Sequence, residues 1–272
     1  MDRPLILVTN DDGIRSDGLQ AAVDALAPLG DLLVVAPDRQ WSGAGRSMPS
    51  MVTGELNEVV CKTSEGKAIP AYAVDATPAQ CVIHGMLELV DRAPALVVSG
   101  VNFGENVSTE ITISGTIGAA LEASVFDVPA MAVSLEMSRE NHYREQSSGD
   151  SDYAASKAFT RRFARMILGT TLPFDVDVLS INVPRDASPE TSWRFTYLSH
   201  ERYFVPVPPA RQDGVGRLGY RVMSDPTNAE VGSDVWCLHV AHQISVTPLS
   251  TDLTSRVDFG LLDERLSTQV EA

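Results

Sequence analysis

Short apolar runs separated by longer stretches of helical periodicity fill the first two thirds of the chain. The runs are Leu5–Val8, Leu32–Ala36, Ala71–Val74, Ala95–Ser99, Ala130–Leu135 and Val178–Val183. Each is apolar almost throughout instead of alternating, the pattern of a strand buried on both faces of a parallel sheet. Between them, "DGLQAAVDALAPLG" places Leu19, Ala22, Val23 and Leu26 on one helical face. "TPAQCVIHGMLELV" begins with a capping Thr77 and with Pro78 at the first helical position. "SGTIGAALEASVF" and "SDYAASKAFTRRFARMIL" supply two more helices. Strand–helix units repeated in this way predict an α/β fold, an open and mostly parallel Rossmann-like sheet with helices on both faces.

The pattern changes after Pro184. Residues 188–225 are rich in proline, glycine and aromatics, with several short β-like runs and little core of their own. They predict an extended β-hairpin arm that needs another surface, most simply a second subunit. His239 and His242 fall in a β-like run, where three-residue spacing sends them to opposite faces as structural residues. "QISVTPLSTDLT", residues 243–254, reads as a late strand. The expected division is a Rossmann-like catalytic core over 1–184, with 185–272 forming an oligomerisation arm and a late strand that completes the core.

Composition narrows the function classes. A formal charge of −15 argues against a nucleic-acid polymer as partner, because such a partner needs a basic face. No apolar stretch approaches a membrane span, and the first thirty residues lack the basic start and apolar block of a signal peptide. Cys61, Cys81 and Cys237 are odd in number and lack Cys-x-x-Cys spacing, which suits reduced thiols in a cytoplasm. The histidines at 84, 142, 200, 239 and 242 are scattered.

Polar chemistry collects where the apolar runs end, the rim on which open parallel sheets bind ligands. After the first run come Asn10, Asp11, Asp12 and Gly13; after the second comes "APDRQWSGAGRS"; after the fourth comes "SGVNFGENVSTEITISGT". Two adjacent carboxylates read either as a solvated turn or as a cation site. The donors on offer are carboxylate, hydroxyl and amide oxygens without paired histidine or cysteine, and such donors favour Mg²⁺, Mn²⁺ or Ca²⁺ over zinc. Ser114, Gly115 and Thr116 open a helix and read either as an ordinary cap or as a phosphate seat. A P-loop and a dinucleotide fingerprint after the first strand are absent, and Asp11 and Asp12 are adjacent where a phosphatase of the Asp-x-Asp type needs a residue between them.

Taken in order, "TNDDGI", "VVAPDRQWSGAGRS", "VVSGVNFGEN", "SGTIGAALEA", "PAMAVSL", "LSINVP" and "ISVTPLSTDLT" resemble the SurE family, the survival-protein nucleotidases. The resemblance spans Leu5 to about Thr254. It implies a divalent-metal-dependent phosphomonoesterase acting on nucleoside monophosphates, with an exchanged C-terminal arm in a homodimer or homotetramer. It implies one Mg²⁺ or Mn²⁺ per subunit on Asp11, Asp12, Ser42 and Asn102, and phosphate-side residues at Asn10, Asn106, Ser114, Gly115 and Thr116. Asp11 and Asp12 are then the catalytic pair, with Asp11 the candidate to take a proton from water. Trp41, "ATPAQC" and Thr109–Ile113 depart from the family's usual pattern on the substrate side. The competing expectations are a broader acid-type phosphatase or exopolyphosphatase on the same site, and a non-enzymatic stress or ligand-binding protein on the same scaffold.

Overall fold

The structure, a computed structural model, describes residues 3–138, 153–223 and 225–267. His142 and the first two residues of the expected helix from Ser151 lie outside the described residues. Nine strands form the main sheet: β1 (Leu5–Thr9), β2 (Asp31–Pro37), β3 (Leu56–Glu58), β6 (Ala71–Val74), β7 (Leu96–Phe103), β8 (Ala130–Leu135), β9 (Val178–Val183), β10 (Trp193–Phe195) and β13 (Ile244–Leu249). Two small ribbons stand apart, β4 (Cys61–Lys62) with β5 (Ala68–Ile69), and β11 (Phe204–Val207) with β12 (Gly219–Val222). The spatial order of the main sheet is β10-β13-β9-β8-β7-β1-β2-β6-β3. The six strands from β6 to β9 run parallel; β3 and β13 flank them antiparallel, and β10 lies parallel to β13 at the edge.

The continuous apolar character of the runs follows from burial on both faces. Ile6 and Val8 enter one core cluster with Leu19, Val23 and Phe163, while Leu5 and Leu7 enter another with Val82, Ile117 and Ala120. Helices α1 (Asp17–Leu26) and α4 (Ala154–Leu168) therefore cover one face. The other face is covered by α2 (Pro78–His84) and α3 (Gly115–Ser124). Local signals start these helices, at Thr77 as expected. Ser16 accepts from the Leu19 amide to cap α1, and Thr77 and Gln80 form a reciprocal capping box ahead of α2. The helix expected to run through Val90 instead passes into a π-helical turn over Gly85–Leu89.

Counted in chain order, the six parallel strands lie 3-2-1-4-5-6, so the winding reverses between β1 and β7. That reversal opens a crevice at the carboxyl ends of these two strands. Strand β7 also outruns its expected end at Ser99. The chain continues through Gly100 at φ +126°, where a Cβ would collide with the Val133 carbonyl oxygen, and on to Phe103. A glycine that reads as a terminator thus carries the strand across an irregularity and delivers Asn102 to the rim.

Two expectations for the C-terminal third are corrected. His239 ends a short helix, α5 (Asp234–His239), and His242 sits in the following turn at φ +49°, so neither lies in a strand. The arm also has some core near its root, where Tyr203, Ala229, Val235 and Leu238 enclose Val107. Its tip is bare, with Val215 75% and Leu218 80% exposed. The last helix, α6 (Phe259–Ser267), buries none of its residues. No helix among the described residues is long and apolar enough to cross a membrane.

Candidate active site

The turn after β1 places one carboxylate, Asp11, in a buried position and the next, Asp12, half-buried beside it. Asp11 is 4% exposed, and its Oδ1 accepts the Thr116 hydroxyl at 2.6 Å. The amides of Gly115 and Thr116 at the start of α3 also stabilise that carboxylate. Gly115 permits this approach, because a Cβ there would fall 2.7 Å from the Asp11 Cβ. Asp12 is held from the end of β7 and from the loop after β2: its Oδ2 accepts the Phe103 amide at 2.8 Å and its Oδ1 accepts Gln40 Nε2 at 3.2 Å.

The electrostatics of this pair are adverse to two negative charges. Burial raises the Asp11 carboxyl above its ordinary range, against the opposing pull of the Thr116 hydroxyl and the nearby amides. Burial and then the Asp11 charge push Asp12 up to about 7. Neither is lowered by a neighbouring arginine, lysine or histidine. Among the described residues the pair therefore lacks a counter-charge, and a cation is the group that would let both ionise together.

Asn102 and Ser42 supply neutral oxygens at the same rim. The Asn102 Nδ2 donates to the Gly104 carbonyl at 2.6 Å, which fixes the amide plane and leaves Oδ1 as the oxygen it could offer a ligand. Ser42 is exposed. Its loop is tied to the site by the Trp41 amide, which donates to the Asp11 carbonyl at 2.7 Å, and by Gln40 on Asp12. Among the described residues no three His, Cys, Asp or Glu side chains group together. Two carboxylates with amide and hydroxyl oxygens fit a hard divalent ion, and they do not fit zinc.

The remaining expected residues are distributed unevenly. Ser114 caps α3 by accepting from the Ile117 amide, a bond that leaves its own hydroxyl proton to give. Asn10 is fully buried, and its Nδ2 donates to the Gly13 carbonyl and to Ser16 Oγ, so it shapes the Asp-Asp turn from within. Asn106 lies over β8 and β9. Its Nδ2 donates to Ser134 Oγ, and its backbone exchanges two bonds with the Asn182 amide.

Known proteins place this arrangement in a family. The family model described as "Survival protein SurE" matches residues 6–205. The chain belongs to the SurE family. Among curated SurE relatives, the protein named 5′-nucleotidase SurE from Thermococcus gammatolerans is 42% identical over 258 residues, covering 94% of each chain. The one of the same name from Archaeoglobus fulgidus is 41% identical, covering 95% of each. The crystal structure of the SurE protein from Aquifex aeolicus superposes with a TM-score of 0.74 at 27% identity, covering 99% of this chain and 100% of that one.

Gln40 and the Phe103 amide are members of this SurE site that residue-type reasoning passed over. A glutamine in a loop and a backbone N–H carry no distinctive spacing. The partner of Thr116 was also hidden, because a helix-opening threonine reads as facing a ligand, whereas here it faces Asp11.

Proposed function

We propose that this SurE chain is a 5′-nucleotidase, a phosphomonoesterase that splits nucleoside monophosphates into nucleoside and phosphate. One observation carries the reading: a buried and an adjacent half-buried carboxylate without a basic partner among the described residues, at the point where the sheet's winding reverses. The names of the relatives agree with it.

Asp11, Asp12, Ser42 and Asn102 would hold one divalent ion per subunit, Mg²⁺ or Mn²⁺. Such an ion supplies Lewis acidity toward the phosphoryl oxygens. The chain's own groups do the positioning. Thr116 and the amides opening α3 fix Asp11, while Gln40 and the Phe103 amide fix Asp12. Ser114 offers its hydroxyl proton to the phosphate, with Asn106 alongside, while Asn10, Gly115 and Thr116 serve the phosphate through the turn they hold. Asp11, raised by burial, is the group that takes a proton from the attacking water.

The division into a Rossmann-like core over 1–184 and an arm with a late strand over 185–272 belongs to the same proposal. The bare hairpin tip and the uncovered α6, with Phe259 66% and Leu266 62% exposed, suit burial against other copies in a dimer or tetramer.

Purified protein assayed with several divalent ions against nucleotides, simple phosphate esters and polyphosphate tests the reading. Phosphate release from nucleoside 5′-monophosphates, dependent on Mg²⁺ or Mn²⁺, is expected. Faster release from polyphosphate would favour the broader phosphatase, and no release from any ester would leave a binding protein on the same scaffold.

A further inference from the structure

We propose that Trp41 is the stacking platform for the base of the nucleotide, and so a residue that sets preference for base-bearing phosphate esters. The proposal rests on the nucleotidase reading and assigns that site its nucleobase contact.

Position is the first argument. Gln40, Trp41 and Ser42 are consecutive: the first donates to the Asp12 carboxylate at 3.2 Å, and the second donates its amide to the Asp11 carbonyl at 2.7 Å. The Trp41 backbone therefore lies against the turn that carries both carboxylates, and its indole starts from that turn. A nucleoside monophosphate carries its base one sugar away from its phosphate, a separation of the order of one side chain.

The ring is also held rigid. The Arg39 guanidinium lies over it at 5.1 Å from the centroid, and Arg39 is itself anchored by Asp75 at 2.7 Å. Asp75 in turn accepts from the Thr53 amide and hydroxyl. A cation over an indole helps to orient it, and a planar ligand can stack only on the face that Arg39 does not cover. An aromatic surface ordered before the ligand arrives loses little entropy on binding.

The surroundings leave space for such a partner. Gly43, two residues on, adopts φ +77°, and a Cβ built there meets nothing within 4 Å. Gly45 donates to the Ile113 carbonyl at 2.8 Å, bringing a 57% exposed isoleucine to the same loop as an aliphatic neighbour. A purely structural role also fits poorly, because the indole Nε1–H is buried without an acceptor among the described residues. Buried tryptophans kept for packing normally pair that donor, and leaving it unpaired is destabilising.

The experiment compares a purine nucleoside 5′-monophosphate with ribose 5-phosphate on the full-length chain. Trp41→Leu is expected to raise the KM for the nucleotide by about 5- to 100-fold, the range of one lost base–aromatic stack, with kcat far less affected. The KM for ribose 5-phosphate should move several-fold less, and Trp41→Phe should recover most of the nucleotide affinity. Equal KM shifts for both esters, or none for either, would overturn the proposal.

Binding gives an independent readout. The chain has three tryptophans, so a Trp193→Phe, Trp236→Phe variant leaves Trp41 as the sole indole, and nucleotide should quench its fluorescence. Absence of quenching at nucleotide concentrations that saturate turnover sinks the stacking role alone. Quenching without phosphate release from any ester keeps the platform and sinks the nucleotidase reading. Absence of both quenching and turnover removes both.

Discussion

The Thr116 hydroxyl donates to Asp11 Oδ1 at 2.6 Å, joining the first turn of α3 to the turn that follows β1. Both residues are buried, and the bond is made to a carboxylate whose charge burial opposes. The helix terminus therefore works on the carboxylate first and reaches any phosphate through it.

Thr116→Val keeps the shape of the side chain and removes this donor. Loss of a hydrogen bond to a charged group predicts cation affinity lower by about 10- to 100-fold, with Thr116→Ser close to the parent. Calorimetric titration with Mn²⁺ measures it. Unchanged affinity in the valine variant would mean that the bond does not order the carboxylate for a cation.

Gly115→Ala places a methyl group 2.7 Å from the Asp11 Cβ and 2.9 Å from its Oδ2. The helix start or the carboxylate must move, so kcat is predicted to fall at least about tenfold, the scale of a sub-ångström misplacement. Steady-state kinetics at saturating nucleotide would show it, alongside a melting curve confirming that the variant is folded.

Asp12→Asn is predicted to lower turnover by at least about 10²-fold while the metal-free variant melts no lower than the metal-free parent. Chelation of the parent should copy the loss, with recovery on adding Mg²⁺ or Mn²⁺. A parent fully active in excess chelator would return the two aspartates to the status of a turn.

The elevated Asp12 carboxyl also predicts a pH signature. Its ordinary value is 3.8 and its folded value about 7, so across that window the metal-free folded chain holds a proton that the unfolded chain gives up. The resulting stability is present at low pH and disappears as pH rises through about 7. Between about pH 5 and about pH 8 the metal-free parent should therefore lose more melting temperature than Asp12→Asn does. Cation binding runs the other way and tightens over the same range. Parallel melting profiles for the two proteins would contradict this.

Much of this was legible in the chain because burial on both faces leaves an unbroken apolar run. Each of the six expected runs overlaps a parallel strand, and Ser16, Thr77 and Ser114 cap helices where their residue types indicate. Reading failed where a local rule met a tertiary demand. Gly100 marks a stop by composition, yet the sheet needs the chain to continue to Asn102. The β-like run around His239 and His242 became helix and turn, because Ser233 caps α5 and the Asp234 carboxylate accepts the Ser199, Ser108 and Val235 amides. At the site, oxygen-bearing side chains announced themselves, whereas the Phe103 amide that secures Asp12 left no trace in residue type.

The position of β13 between β9 and β10 has a consequence for synthesis. Trp193 of β10 is made first, but its sheet neighbour is Ile244 of β13, which leaves the ribosome only after the hairpin and α5. Until then β10 lacks its partner strand, and the backbone of β9 stands open on that side. A nascent chain stopped short of Leu249 would carry the Asp11–Asp12 rim on a sheet with one raw margin. The last strand is thus a closing latch.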